Sequence, residues 1–238
     1  MIKNIWDIFF YEPLYNGLVF LISIIPGGSV ALSVIVLTIL VKLILYPLSQ
    51  KSITTQVKMR SIEGEVAAIK EKKKDKESQA RETMELYKKH NINPFSGCLT
   101  VLIQLPIILA LYFVFLKGLA PNGGVLYSFV HFPEYVDTIF LNIDVAGKSV
   151  IFAIIAGITQ YIQTAYTMPK PAPPIPGKTS FSDEFSRSMN IQMRYFLPIL
   201  IVFIAYTTSA AVALYWITSS IFMTGQEYLV RRKAGIKK

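Results

Sequence analysis

Tyr195-Phe-Leu-Pro-Ile-Leu-Ile-Val-Phe-Ile-Ala-Tyr-Thr-Thr-Ser-Ala-Ala-Val-Ala-Leu-Tyr-Trp-Ile-Thr-Ser-Ser-Ile-Phe-Met-Thr-Gly-Gln226 is a run of 32 residues without a charge. A hydrocarbon core of about 30 Å takes roughly 20 apolar residues as one helix, so the run is either one very long span or two short ones. Its flanks decide between them. Lys170, Lys178, Arg187 and Arg194 precede it, and Arg231, Arg232, Lys233, Lys237 and Lys238 follow. Positive loops stay in the cytoplasm, so both flanks lie on one side and the run enters and returns. The reversal falls near Thr207-Thr208-Ser209-Ala210. Each arm has only about 16 residues, a shortfall met by local thinning or flank snorkelling at fractions of a kcal/mol per Å.

Three further apolar blocks lie upstream. Gly28 to Leu48 contains one charge, Lys42, whereas Phe95 to Leu116 and Ser149 to Met168 contain none. Of 24 Lys and Arg, 11 fall between the first two blocks, from Lys51 to Lys89. Gly118 to Gly147 carries Glu134, Asp137 and Asp144 with no basic residue, which suits the outside. With 53% hydrophobic and 16% charged residues in 238, against about a quarter charged in soluble domains, an ordinary cytosolic enzyme is excluded. One Cys and two His give no disulfide framework and no cysteine or histidine metal centre.

The expected fold is an all-α polytopic membrane protein with five transmembrane helices, an N-terminal interfacial amphipathic helix and a cytoplasmic helical hairpin. Its boundaries are an outer-surface segment at 1–26, spans at 27–48, 94–117, 148–168, 195–207 and 210–230, the hairpin at 49–93, an outer loop at 118–147, a proline-rich cytoplasmic loop at 169–194 and a basic tail at 231–238. The N-terminal segment is apolar but broken by Asp7, Glu12 and Pro13, and it lacks the positive start and small-residue cleavage site of a signal peptide. Trp6, Phe9, Phe10, Tyr11 and Tyr15 are interfacial aromatics. The competing reading is a sixth crossing, with the N-terminus inside. In the hairpin, Met59, Ile62, Val66 and Ile69 form one helical stripe and Ala80, Met84 and Tyr87 another, separated by Lys72-Lys-Lys-Asp-Lys76. Asn93-Pro94 supplies an N-cap and a first helical residue for the next span.

Polar residues inside the spans are the functional candidates. A Lys near mid-membrane costs roughly 2.5 to 3.5 kcal/mol on insertion scales. Lys42 either snorkels to the cytoplasmic edge or faces a wet cavity. Thr38 lies one turn before it; Thr100, Gln104 and Tyr112 share one face, and Gln160, Gln163 and Thr167 another. An amide facing lipid lacks partners, so these stripes point inward and together enclose a hydrophilic pocket. Taken singly, each is equally readable as an ordinary hydrogen bond between helices. No paired carboxylates, nucleophile with base, or phosphate-binding glycine loop accompanies them, so neither an enzyme nor a cofactor is expected. Ion-coupled transport would need an acidic residue within a span or an inverted repeat; the last hairpin has only Glu227, at its cytoplasmic rim, and no repeat is visible in the sequence. A small-solute transporter or channel and a scaffold for membrane-protein assembly remain as rival readings.

Four segments resemble the YidC/Oxa/Alb-type membrane protein insertases: Thr38-Ile-Leu-Val-Lys42-Leu-Ile-Leu-Tyr-Pro47-Leu48; Tyr87-Lys-Lys-His-Asn-Ile-Asn-Pro94-Phe-Ser-Gly97-Cys98; Leu102-Ile-Gln104-Leu-Pro106-Ile; and Leu214-Tyr215-Trp216. The resemblance extends from about Ile5 to Arg232. It implies a five-helix core whose positively charged groove, open to cytoplasm and lipid, shelters the polar tail of a nascent membrane protein. The substrate's apolar helix then slides into the bilayer along the second and fourth spans. The family's groove cation falls on Lys42, where Arg is usual, and a groove glutamine on Gln104; Trp216 joins the groove residues. The resemblance further implies a bacterial cytoplasmic membrane, a ribosome and the Sec translocon as partners besides nascent chains and lipid, and no nucleic-acid specificity. The family's Phe-Pro-x-Gly turn is replaced by Thr208-Ser209-Ala210-Ala211, and the tail Arg231 to Lys238 is short for ribosome docking.

Overall fold

The computed structural model describes residues 6–72, 75–93, 96–117, 119, 126–167, 188 and 190–233. Most of the proline-rich loop and the last five residues of the tail, 234–238, lie outside the described residues. A π-helical turn, Asp7–Tyr11, runs directly into α1, Glu12–Ile24. Tyr15, Leu18, Val19 and Ile22 of this helix are buried in the main core, and Phe9, Phe20 and Ile24 are exposed on the other side. The helix is thus apolar on both faces, one turned to protein. Asp7–Ile24 is long and apolar enough to cross a membrane.

Gly27 and Gly28, both with positive φ, turn the chain into α2, Val30–Ile44. A Cβ on Gly28 would lie 2.5 Å from the Tyr135 carbonyl oxygen, so only glycine fits. The close approach stitches the segment between α6 and α7 to the start of α2: Asp137 N–H donates to Gly28 O and Val30 N–H to Asp137 O, each at 2.9 Å. Ser29 caps the helix by accepting from Leu32 N–H at 3.4 Å.

The first span ends earlier than its composition suggests. α2 stops at Ile44, and α3, Tyr46–Ser61, departs at 67°. Pro47 is the cause, because its ring cannot donate to, and clashes with, the carbonyl four residues back. The charged unit therefore begins at Tyr46 and consists of three helices, α3, α4 (Glu63–Lys72) and α5 (Lys76–Lys89). The expected first stripe is cut at Ile62, which is buried between α3 and α4. Asp75 caps α5 by accepting from Ser78 N–H at 2.9 Å. His90 Nε2 lies 3.7 Å from Glu65 Oε2, so α4 and α5 lie side by side.

α6 is Ser96–Lys117, with Pro106 inside it. A two-stranded antiparallel ribbon, β1 (Ile139–Phe140) with β2 (Ile143–Asp144), pairs Ile139 with Asp144 and Phe140 with Ile143. α7, Val150–Thr167, is also long and apolar enough to span. A π-helical turn, Gln192–Phe196, leads into α8, Leu197–Thr207, and α9, Ala210–Lys233, follows after two residues.

The contacts fix the directions of these last helices. Tyr195 meets Tyr161, Val202 meets Gly157, and Ala210 N–H donates to Gly147 O, so α8 runs antiparallel to α7. Ser220 meets Gln160 and Glu227 meets Thr167, so α9 runs parallel to α7. The chain reverses between Thr207 and Ala210. Carbonyls of the segment before α7 cap the reversal: Val145 O accepts from Ala211 N–H at 2.8 Å and Gly147 O from Ala210 N–H at 2.7 Å. These are two of the four donors that a helix start leaves unpaired.

Small residues let the last three helices approach closely. Ala153, Ala156 and Gly157 of α7, Ala205 of α8, and Ala210, Ala211 and Ala213 of α9 are all buried. A Cβ on Gly157 would fall 2.2 Å from Val202 Cγ2 and 3.3 Å from Pro198 O. Gly157→Ala should therefore lower stability by about 1 to 3 kcal/mol through overpacking, and Gly157→Leu by more. Thermal unfolding in detergent, followed by tryptophan fluorescence, would read this as a reduced Tm; an unchanged Tm for both would refute the close contact.

Candidate functional site

Lys42 is placed two residues before the end of α2, on the face that turns away from exposed Leu40 and Leu43. Its side chain is buried, with 6% of the residue exposed, so it does not snorkel to the surface. The ammonium donates to Gln104 Oε1 of α6 at 2.8 Å. The other end of that amide donates from Nε2 to the Tyr215 hydroxyl of α9. One chain of side chains thus joins α2, α6 and α9. Tyr215 occupies the amide donor end of Gln104 and so presents the carbonyl oxygen to Lys42. No described carboxylate pairs with this ammonium, which has three donors to satisfy.

A second polar seam joins α7 to α9. Gln160 Nε2 donates to Thr164 Oγ1 at 3.0 Å, and Ser220 donates to Gln160 Oε1 at 3.3 Å. Seven residues further along both helices, Thr167 donates to Glu227. Arg231 pairs with Glu227, donates to the Tyr166 carbonyl at 2.7 Å, and lies 4.4 Å from the centre of the Tyr166 ring. That carbonyl belongs to the last turn of α7, where helix carbonyls lack partners and positive charge is favoured. A third contact holds the bend: Ser49 donates to Gln226 Oε1 at 2.9 Å, and Gln226 Nε2 to Tyr46 O at 3.3 Å.

Of the residues singled out from the sequence, Lys42 and Gln104 come together. Gln160 bridges α7 and α9 instead, and Thr38 turns back on its own helix, donating to Val34 O at 2.6 Å. Tyr112 is half-buried with its ring edge-on to Phe113. Gln163 is half-buried and makes no hydrogen bond among the described residues. Trp216 is packed in the hydrophobic core, and the side chain of Thr100 lies outside the described residues. Sequence reasoning missed the roles of Tyr215, Ser220, Gln226 and Arg231. The available signal was spacing in α9: Tyr215 and Gln226 lie eleven residues apart, as do Ser220 and Arg231, with Glu227 seven residues after Ser220.

Comparison with known proteins gives a consistent picture. The family model described as "60Kd inner membrane protein" matches residues 21–237. A membrane protein insertase YidC of Clostridium tetani is 34% identical over 216 residues, covering 90% of this chain and 87% of that protein. One from Oleidesulfovibrio alaskensis is 32% identical over 232 residues, covering 96% of this chain but 39% of that one. The chain thus spans most of the first relative and about two fifths of the second. Among solved structures, an active YidC insertase with its first transmembrane domain resolved superposes with a TM-score of 0.58 at 24% identity, over 94% of this chain and 48% of that chain; this likeness shows the fold alone.

The seam between α7 and α9 makes a stability prediction. Side-chain exposures of 12% for Arg231 and 5% for Glu227 make this a buried pair, and removing one partner of such a pair costs about 3 to 5 kcal/mol. Arg231→Ala should lower Tm markedly, whereas Arg232→Ala, at an exposed position, should stay within about 0.5 kcal/mol. Equal effects in detergent melts would contradict the seam.

Proposed function

The chain belongs to the YidC family of membrane protein insertases, and we propose that its buried lysine network is the inner wall of a groove that shelters the polar tail of a nascent membrane protein. The family's work is insertion into a bacterial membrane, not covalent chemistry. The observation that carries the groove reading is Lys42: a buried cation held by a single amide carbonyl, with no described carboxylate beside it. An acidic peptide tail would supply the missing anion through a charge-assisted hydrogen bond.

In this reading α2, α6, α7, α8 and α9 cross the bilayer, with the N-terminus outside and the C-terminus in the cytoplasm. The basic segments after α2, after α7 and after α9 agree with that orientation, and they are where a ribosome or the Sec translocon would be met. The contacts of α1 favour a position along the outer side over a sixth crossing. Tyr11, near one end, lies under Lys117 Nζ at 4.2 Å, at the end of α6; the other end leads through Gly28 into the start of α2. Both are outer ends. Asn16, between them, accepts from Tyr127 N–H of the outer segment at 2.7 Å.

Two exposed apolar stripes agree with lateral release into lipid: Leu105, Leu109, Phe113 and Leu116 on α6, and Phe196, Ile199, Phe203 and Tyr206 at α8. Gln192–Thr207 is a 16-residue helix, about 24 Å long at 1.5 Å per residue, shorter than the hydrocarbon core and suited to thinning it. A thinner barrier shortens the desolvated path of the tail, and burial of the substrate's apolar helix drives the step forward.

Insertion of single-span substrates with acidic or neutral tails into vesicles tests the role of Lys42. Lys42→Glu should reduce insertion of acidic tails roughly tenfold or more, since one charged hydrogen bond is worth about 1.5 to 3 kcal/mol, with Lys42→Ala between. Neutral tails should be far less affected. Photocrosslinkers at Gln104 and Tyr112 should capture a stalled nascent chain. Equal loss for both tail types, with crosslinks only to lipid, would overturn the groove.

A further inference from the structure

From Pro13 to Ile62 the chain has four basic residues, Lys42, Lys51, Lys58 and Arg60, and no acidic one. The two following helices differ in kind: from Glu63 to Lys89 seven acidic residues stand against eight basic, a mixed-charge surface suited to water. α3 is therefore the one cytoplasmic helix whose charge is of a single sign. Its inner face is fixed, because Ile53 and Val57 pack with Val230 and Met223 of α9, and Gln226 holds its first turn. At 100° per residue, Pro47, Leu48, Lys51, Thr55 and Lys58 fall on the opposite face. Pro47, Leu48, Lys51 and Lys58 are exposed there, and among the described residues neither ammonium has a carboxylate partner.

The order along that face is apolar and then basic. It continues the lipid-facing side of α2, where Leu43 and Ile44 are 52% and 75% exposed. With α2 along the membrane normal, the 67° bend carries the helix only about 6 Å toward the cytoplasm between Leu48 and Lys58, at 1.5 Å per residue. That distance matches the headgroup layer, about 5 to 7 Å on each side of the hydrocarbon. We propose that α3 lies in the cytoplasmic headgroup layer and binds anionic phospholipid through Lys51 and Lys58, with Leu48 seated at the acyl boundary. The surface recognises phosphate-bearing headgroups of net negative charge. This anchors the bend that sits three residues from Lys42, at the cytoplasmic end of the proposed groove. The inference rests on α2 crossing the membrane and is independent of what the groove carries.

A polarity-sensitive fluorophore on Thr55→Cys, in a Cys98→Ser background, tests it with the full chain in vesicles of phosphatidylcholine alone or with one-third phosphatidylglycerol. Spin-labelled lipids serve as quenchers. Two lysines near an anionic surface bias the helix toward it roughly 30-fold, so quenching should rise strongly with phosphatidylglycerol and fall at high salt. The Lys51→Gln, Lys58→Gln pair should reduce it to the phosphatidylcholine level, and the Lys51→Arg, Lys58→Arg pair should restore it. Quenching that ignores lipid charge, or survives the glutamine pair, overturns the proposal. A label on Leu43→Cys should be quenched in every vesicle; if it is not, α2 is not at lipid and the membrane placement itself fails.

Discussion

An ammonium cannot be left in hydrocarbon without partners, and the position of Lys42 therefore constrains everything around it. Taking an ammonium out of water costs several kcal/mol, yet Lys42, two residues before the end of α2, is buried within the described bundle. The burial is tolerable because α6 brings Gln104 to within 2.8 Å, and Gln104 is in turn oriented by Tyr215 of α9. Beyond Gln104, no hydrogen-bond partner of the ammonium is found among the described residues, which in the proposed groove leaves capacity for an incoming anion or water.

α9 organises the rest. One of its faces carries Tyr215 and Gln226 toward α6 and the α2–α3 bend, and another carries Ser220, Glu227 and Arg231 toward α7. Its start is held by the Val145 and Gly147 carbonyls. The contacts differ in kind: α7 is joined to α9 by hydrogen bonds from Thr167 to Glu227 and from Arg231 to the Tyr166 carbonyl, and by close packing of small residues, whereas the described polar contact from α6 to α9 runs through one glutamine.

Much of this was legible in the residues. Charge-free blocks marked the apolar helices, and a basic flank on each side of the last block required it to double back. Gln104 stood out because an amide in an apolar run needs a partner. Tyr215 did not, since a tyrosine among Leu, Trp and Ile reads equally well as core; only its contact with Gln104 separates the two roles. The end of α2 was misplaced because charge changes at Ser49 while the backbone breaks at Pro47, and a proline ring, not composition, sets a helix end. Gln160 and Thr38 were read as pocket residues on inward direction alone. Their hydrogen bonds are met within the helix pair and within α2 itself, which periodicity cannot distinguish from facing water.

The central claim is that the interior face of α2 meets water from the cytoplasmic side. Single cysteines at Thr38→Cys, Ile39→Cys, Lys42→Cys and Leu43→Cys, in a Cys98→Ser background, can be exposed to a membrane-impermeant thiol reagent from that side. The account predicts reaction at 38 and 42 and protection at 39 and 43. Protection at all four, or reaction that does not follow the helical face, would contradict it.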